Sequence, residues 1–333
     1  MSVLLGIVAL VSLSIGQVTV PFIKIVGTIA AKLNAPGAAE VFLTPEQHSV
    51  FWYIRLPRVL VGILVGAALG ISGAVMQGIF SNPLADPGII GVSSGASLGA
   101  VIAIALGLTS QSFFYMPLLA LAGSLLAIAL IILLAMRDGK IPVMILLLAG
   151  IAVSMFMGAI TSGILTLLNE QRLREFLFWM VGGLDYRRWE HVYLTVGPII
   201  IGIFVLCLLA RHINILVLGD QEARSVGVPV FFFRLLLLFI TAVTTASAVC
   251  VSGTISFIGL VVPHIMRLLL GPDHRILLPA SALAGSIFLV ACDTVGRVLI
   301  QPTEIRVGIM TALVGAPYFL YLLHKLKQER GAA

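Results

Sequence analysis

The sequence predicts an all-α, polytopic membrane protein, and three observations predict it. Of its 333 residues, 60% are hydrophobic and only 10% charged, with a mean hydropathy of +1.14; no soluble core needs that much apolar surface. Charge-free runs recur at the length a bilayer demands, roughly 20 helical residues for a hydrocarbon core about 30 Å thick. They cover 59–85, 87–136, 141–169, 192–210, 276–292 and 307–323. Alternating barrel strands would read differently, so the spans are helices.

Ten spans are expected, near 2–31, 51–80, 93–108, 113–136, 141–168, 192–210, 233–252, 255–270, 276–296 and 306–324. The first lacks a basic leader and its apolar stretch runs on past 15 residues, so it reads as a retained span. Positions 87–136 hold enough apolar sequence for two spans. The third and eighth are short, and Gly/Pro-rich stretches precede or interrupt them. Irregular backbone at membrane depth is tolerated only inside protein or beside a water-filled cavity, which places these two inside the bundle. The runs GAALGISGA (66–74) and SSGASLGA (93–100) suit close helix contact, with a minority of their residues free to line a path. Residues 1–333 thus read as one transmembrane domain, interrupted by a hydrophilic loop at 211–229. Cys207, Cys250 and Cys292 fall in or beside apolar segments and read as small buried hydrophobes.

A net charge of +6 raises the question of nucleic acid, but no basic helix or aromatic-interleaved patch supports it. With ten spans both termini share one side. Lys and Arg then divide ten against ten between the two sides, so the positive-inside rule does not set the orientation. Arg55 and Arg58 in IRLPR, and Arg297, each sit at the end of a span. They read either as anchors snorkelling to lipid phosphates or as forks for carboxylates on a partner protein.

The spans carry almost no acid or histidine. Asp86, Asp293 and Glu304 fall in loops or near helix ends, which disfavours a proton relay. Walker A, HExxH, paired CxxC and GxSxG sequences are absent. Neither an energy source nor an enzymatic site is legible.

Within the loop, GDQEARSVGVP (219–229) predicts a short helix. Asp220 suits the N-cap, Gln221 and Glu222 the first turn, Gly227 the C′ position, and Pro229 blocks continuation. Two turns are unstable alone in water, so the helix needs a surface to lie on. Its two acids and an arginine suit a protein groove better than anionic lipid headgroups.

Taken together these motifs resemble the membrane permease subunit of binding-protein-dependent ABC importers for ferric siderophores, vitamin B12 and haem. The resemblance is carried by RLPRVLVGILVGAALGISGAVMQGIFSNPLADPGIIGVSSGAS (55–97), LLLAG (146–150), WMVGG (179–183), LGDQEARSVGVP (218–229), FIGLVVPHIMRLL (257–269), DHRILLPASALAG (273–285) and VGIMTALVGAPYFLYLL (307–323). It implies about ten spans per subunit in a homodimer and a cytoplasmic inner-membrane location with both termini cytoplasmic. Two separate ATP-binding cassette subunits would bind ATP and magnesium, and a periplasmic or lipoprotein binding protein would deliver the cargo. No cofactor or metal is expected in this subunit.

The resemblance further assigns docking of the binding protein to Arg55, Arg58 and Arg297. Arg306, where relatives usually have proline, would add a fourth guanidinium to the docking site, contact an anionic chelate, or face lipid. Gly219, Asp220, Glu222, Ala223, Arg224 and Gly227 fall on the family's coupling helix. Val143 and Met144 fall on its inner gate, where plain helix packing is the other reading. The function implied is ATP-driven import of a bulky metal chelate, with a haem-specific permease as one alternative. A secondary transporter with an unrecognised ion site and a non-transporting receptor are the others.

Overall fold

The computed structural model describes residues 1–16, 20–32, 43–136 and 140–331. Positions 137–139 lie outside them, including Arg137 of the basic tally. Helices α1 (Ser2–Ser14), α2 (Phe22–Lys32) and α3 (Pro45–Ser49) come first, and a wide turn at Val50–Arg55 joins α3 to α4 (Leu56–Ile79). Next are α5 (Val92–Ala105), α6 (Tyr115–Ala135), α7 (Val143–Leu165), α8 (Glu170–Met180) and α9 (Trp189–Leu208). The chain continues through α10 (Ala210–Val217), α11 (Asp220–Ser225), α12 (Val230–Ser252), α13 (Ile258–Leu270), α14 (His274–Val298) and α15 (Val307–Gly331).

Among the described residues, six helical rods are long and apolar enough to cross a membrane: α3–α4 taken together, α6, α7, α9, α12 and α14. Shorter apolar helices α1, α5, α13 and the Val307–Leu322 part of α15 fall where the other four spans are predicted. One boundary is corrected. The first predicted span, 2–31, is not a single rod, because α1 ends at Ser14, Ile15 is extended, and α2 starts only after Pro21. Glycine at 16 and proline at 21 interrupt an otherwise apolar run, and apolarity alone cannot reveal that break.

Helix α4 is the axis of the bundle, buried along almost its whole length. It can be so enclosed because one of its faces is nearly bare. A Cβ at Gly66 or Gly70 would overlap the backbone of α14 at Gly285 or Ser281, and one at Gly73 would overlap the Gly259 carbonyl of α13. In α5, Gly95 and Gly99 meet the α6 backbone at Gly123 and Leu119 in the same way. Helices in lipid gain little from apolar burial against each other, so close backbone approach through small residues supplies the packing. The two small-residue runs are therefore mainly contact surfaces, and the short α5 is enclosed within the bundle as expected.

Ahead of α4 the ladder widens to i→i+5, with the Leu56 N–H donating to the Phe51 carbonyl. Pro57 has no N–H and its ring presses on the carbonyl four residues earlier, so the wide turn accommodates it. This turn sets the direction of Arg55 and Arg58. The end of α1, the start of α4, the end of α14 and the start of α15 meet at this end of the bundle. Helices α10 and α11 lie at the opposite end, towards which α15 runs.

Gly73→Val should lower stability by at least about 2 kcal/mol, since overpacking here displaces backbone rather than a side-chain tip. Gly158 of α7 has nothing within 4 Å of its would-be Cβ, so Gly158→Ala should leave the detergent melting curve unchanged. Equal melting curves for the two variants would contradict the packing.

Candidate functional site

Arg58 projects from the first turn of α4 into a nest of carboxylates. Its Nε donates to Asp293 Oδ2 at 3.0 Å and its Nη2 to Asp293 Oδ1 at 2.8 Å, a two-pronged grip on α14. Nη1 donates to Glu304 Oε2 at 2.7 Å and Nη2 also to Asp185 Oδ1 at 3.2 Å. One guanidinium thereby joins α4, α14, the loop before α9 and the loop before α15. Only 8% of the Arg58 side chain and 3% of Asp293 are exposed, against 33% of Glu304. A charge so enclosed persists only when paired, and a planar five-donor fork is the group able to serve three acids at once.

Arg55 and Arg297, read from the sequence as lipid anchors or as forks for a partner's carboxylates, are engaged inside the protein. Both are buried and turned towards the end of α1. Arg55 Nη1 donates to the carbonyls of Leu13 at 2.8 Å and Ser14 at 3.2 Å. Arg297 Nη2 donates to the Ser12 carbonyl at 2.9 Å and to the Ser12 hydroxyl at 2.6 Å, and its Nε lies 3.4 Å from Asp293. The last carbonyls of a helix lack intrahelical donors and carry the negative end of its dipole. Two guanidinium groups meet both needs, and they secure a helix of only 13 residues to α4 and α14.

Arg306 is half-buried rather than free. It lies 4.5 Å over the Phe178 ring, donates to the Phe178 carbonyl and sits 3.7 Å from Asp185. Around Arg58 and Arg306 opens a cavity of about 870 Å³, the mouth, whose rim includes Tyr53, Tyr186, Arg188 and Glu304. Tyr186 is 89% exposed and stands at φ +56°, a conformation uncommon for a residue with a Cβ. Sequence reasoning missed the carboxylate nest. Its one local signal is the Asp293–Arg297 spacing of one helical turn, since the remaining partners lie far apart along the chain.

At the opposite end, α11 forms where predicted, with one correction. Gly219, at φ +122°, precedes the helix, and Asp220 is its first helical residue rather than its N-cap. Its carboxylate is engaged elsewhere: Arg234 Nη2 donates to Asp220 Oδ1 at 2.7 Å and Nη1 to Oδ2 at 3.2 Å. That hydrogen bonding holds the Asp220 carboxyl below its usual range. Gly227 is the C′ residue as expected, with its N–H on the Arg224 carbonyl and the Val228 N–H on the Ala223 carbonyl. Ala223 is buried, while Glu222 and Arg224 are exposed on the outer face.

Arg234 is itself buried in α12, and its Nη1 also donates to the Ile141 carbonyl at 3.2 Å. Pro142 follows as the cap of α7, and then Val143, half-buried, and Met144, 68% exposed. The predicted coupling and gate residues, distant in sequence, are thus brought to either side of one arginine. Beside them a cavity of about 630 Å³ is lined by Asn82, Leu218, Arg267 and His274, among others. No group of His, Cys, Asp and Glu among the described residues could hold a metal ion.

Residues 4–325 match the FecCD transport family. The chain belongs to that family. It is 47% identical over 283 residues to the cobalamin import system permease protein BtuC of Halobacterium salinarum, covering 85% of this chain and 75% of that protein. It is 42% identical over 292 residues to the hemin transport system permease protein HmuU of Yersinia pestis, covering 86% and 87%. A solved inward-facing ABC transporter of metal-chelate type superposes with a TM-score of 0.85 at 32% identity over 97% of both chains. This FecCD protein is accordingly a multi-pass permease subunit of a binding-protein-dependent ABC importer, as the sequence motifs imply.

Arg58→Met should destabilise the permease by about 3–5 kcal/mol, because it strands buried carboxylates rather than removing a surface pair. Pairing it with Asp293→Leu should recover a large part of the loss. A single variant that melts like the parent would show that the nest carries no stability.

Proposed function

We propose that this permease carries a bulky metal chelate across the cytoplasmic membrane as one half of a homodimer. The reading is carried by the superposition along 97% of the chain on a metal-chelate type transporter, supported by relatives named for cobalamin and hemin import. A cobalamin- or siderophore-like chelate is the first reading. Haem is the second, favoured by the 42% identity to the hemin permease. Two separate ATPase subunits, holding ATP and magnesium, would drive transport, and no cofactor belongs to this subunit.

In this assignment the mouth faces outwards and receives the substrate-binding protein, a periplasmic protein or a lipoprotein. Exposed Tyr and Arg are the side chains that anchor protein contacts best, and this rim has both. Of the four arginines assigned to docking, Arg58 and Arg306 open onto the mouth, with Arg55 and Arg297 behind them fixing α1. The end bearing α11 and the last turns of α15 faces the cytoplasm, so both termini lie there. Helix α11 offers Glu222 and Arg224 to the ATPase, with Gly219, Ala223 and Gly227 shaping the turn and Asp220 linking it to Arg234. Motion of α11 then reaches the Ile141 carbonyl and the gate at Val143 and Met144 through that one guanidinium. An apolar constriction there closes by excluding water.

Proteoliposomes holding the permease and its ATPase, supplied with loaded binding protein, should accumulate chelate only with ATP and magnesium. Uptake driven by a proton gradient alone would refute the importer reading. Glu222→Ala with Arg224→Ala should weaken association with the ATPase by roughly tenfold, measured by pull-down in detergent. Undiminished association would remove α11 from the interface.

A further inference from the structure

The mouth already contains the chemistry that a docking partner would bring. Three carboxylates, of Asp185, Asp293 and Glu304, already hold Arg58, and Asp293 and Asp185 also lie within ion-pair reach of Arg297 and Arg306, while Arg187 and Arg188 line the same cavity. The acids are not equivalent. Asp293 is on α14, is 3% exposed and takes two prongs of Arg58. Asp185 is 16% exposed and lies between Arg58 and Arg306. Glu304 is twice as exposed as Asp185, at 33%, and sits on the loop between α14 and α15. Its ion pair is with Arg58 Nη1 at 2.7 Å, on the side facing the cavity.

We propose that Glu304 is a built-in stand-in for the partner's carboxylate, which docking exchanges off Arg58. This rests on the reading of the mouth as the docking site and adds how that site is regulated. An arriving acid cannot simply join the three carboxylates already on Arg58, because like charges that close repel. It gains Arg58 only as Glu304 swings out to solvent, which its exposure and loop position permit. Docking affinity is then the partner's intrinsic affinity reduced by the fraction of time Glu304 holds the guanidinium. Its three carboxylates keep Arg58 paired while the mouth is empty, when a lone buried charge would be costly. The partner chemistry this selects is a protein presenting an acidic side chain at the tip of its contact surface. A neutral or basic tip would leave Glu304 in place and gain nothing from Arg58.

The test measures binding of the cognate binding protein to the full transporter in lipid nanodiscs by surface plasmon resonance. Glu304→Gln should tighten binding about fivefold or more, chiefly through slower dissociation, since Arg58 Nη1 loses its carboxylate and can take the partner's. Glu190→Gln is the charge-matched control: Glu190 is exposed at the start of α9, so its loss changes the field without freeing Arg58. It should alter only the association rate, and that effect should vanish with added salt. Arg306→Ala reports on the docking site itself. If Arg306→Ala weakens binding while Glu304→Gln merely matches Glu190→Gln, or weakens binding too, the exchange is wrong and the docking site stands. If neither Arg306→Ala nor Glu304→Gln changes affinity, the docking reading falls and the exchange with it.

Discussion

A charge taken out of water must find its counter-charge inside the protein, and this constraint organises the whole mouth. Arg58 is buried on the central helix with three acids from three other segments around it. Without that nest α4 would hold an isolated guanidinium at the edge of the apolar region, which no packing could offset. With it, the loops before α9 and α15 are drawn onto the helix ends. The same economy governs Arg55 and Arg297, whose donors meet the orphan carbonyls of α1. Arg55, Arg58 and Arg297, basic residues at the ends of spans, are thus internal fasteners.

The two ends of the bundle solve different problems with the same fork chemistry. At the mouth, one guanidinium collects acids from several segments beneath a rim that includes Tyr53 and Tyr186. At the far end, Arg234 joins one exposed acid on α11 to one backbone carbonyl ahead of α7. The first arrangement holds four segments together, and the second links a short amphipathic helix to the start of a membrane span. Between them the glycine contacts of α4 leave little room for independent motion of α4, α13 and α14. Displacement of the less enclosed α7 against that block is the mechanically easier route.

Much of this was legible before any coordinates. Apolar length located six full-length spans and four shorter apolar helices among the described residues, and Gly227 and Pro229 marked the end of α11. The glycine runs announced close contacts, which the Gly66–Gly285 and Gly95–Gly123 approaches realise. What stayed hidden was non-local. Asp185, Asp293 and Glu304 are ordinary loop or helix-end acids in the sequence, and only the fold gathers them onto Arg58. Asp220 looked like an N-cap because a short side chain ahead of a helix usually is one. A buried arginine fourteen residues on outcompeted the backbone for it. The break of the first span at Ser14 was invisible to hydropathy, since both of its halves are apolar.

The proposed function places the arginine mouth and α11 on opposite membrane faces, the mouth outward. Impermeant thiol labelling of sealed, right-side-out vesicles tests it directly, in a background where Cys207, Cys250 and Cys292 are replaced by serine or alanine. Tyr186→Cys should label from outside without permeabilisation, and Ser225→Cys only after it. Labelling of both from the same side, or in the reverse order, would contradict the account.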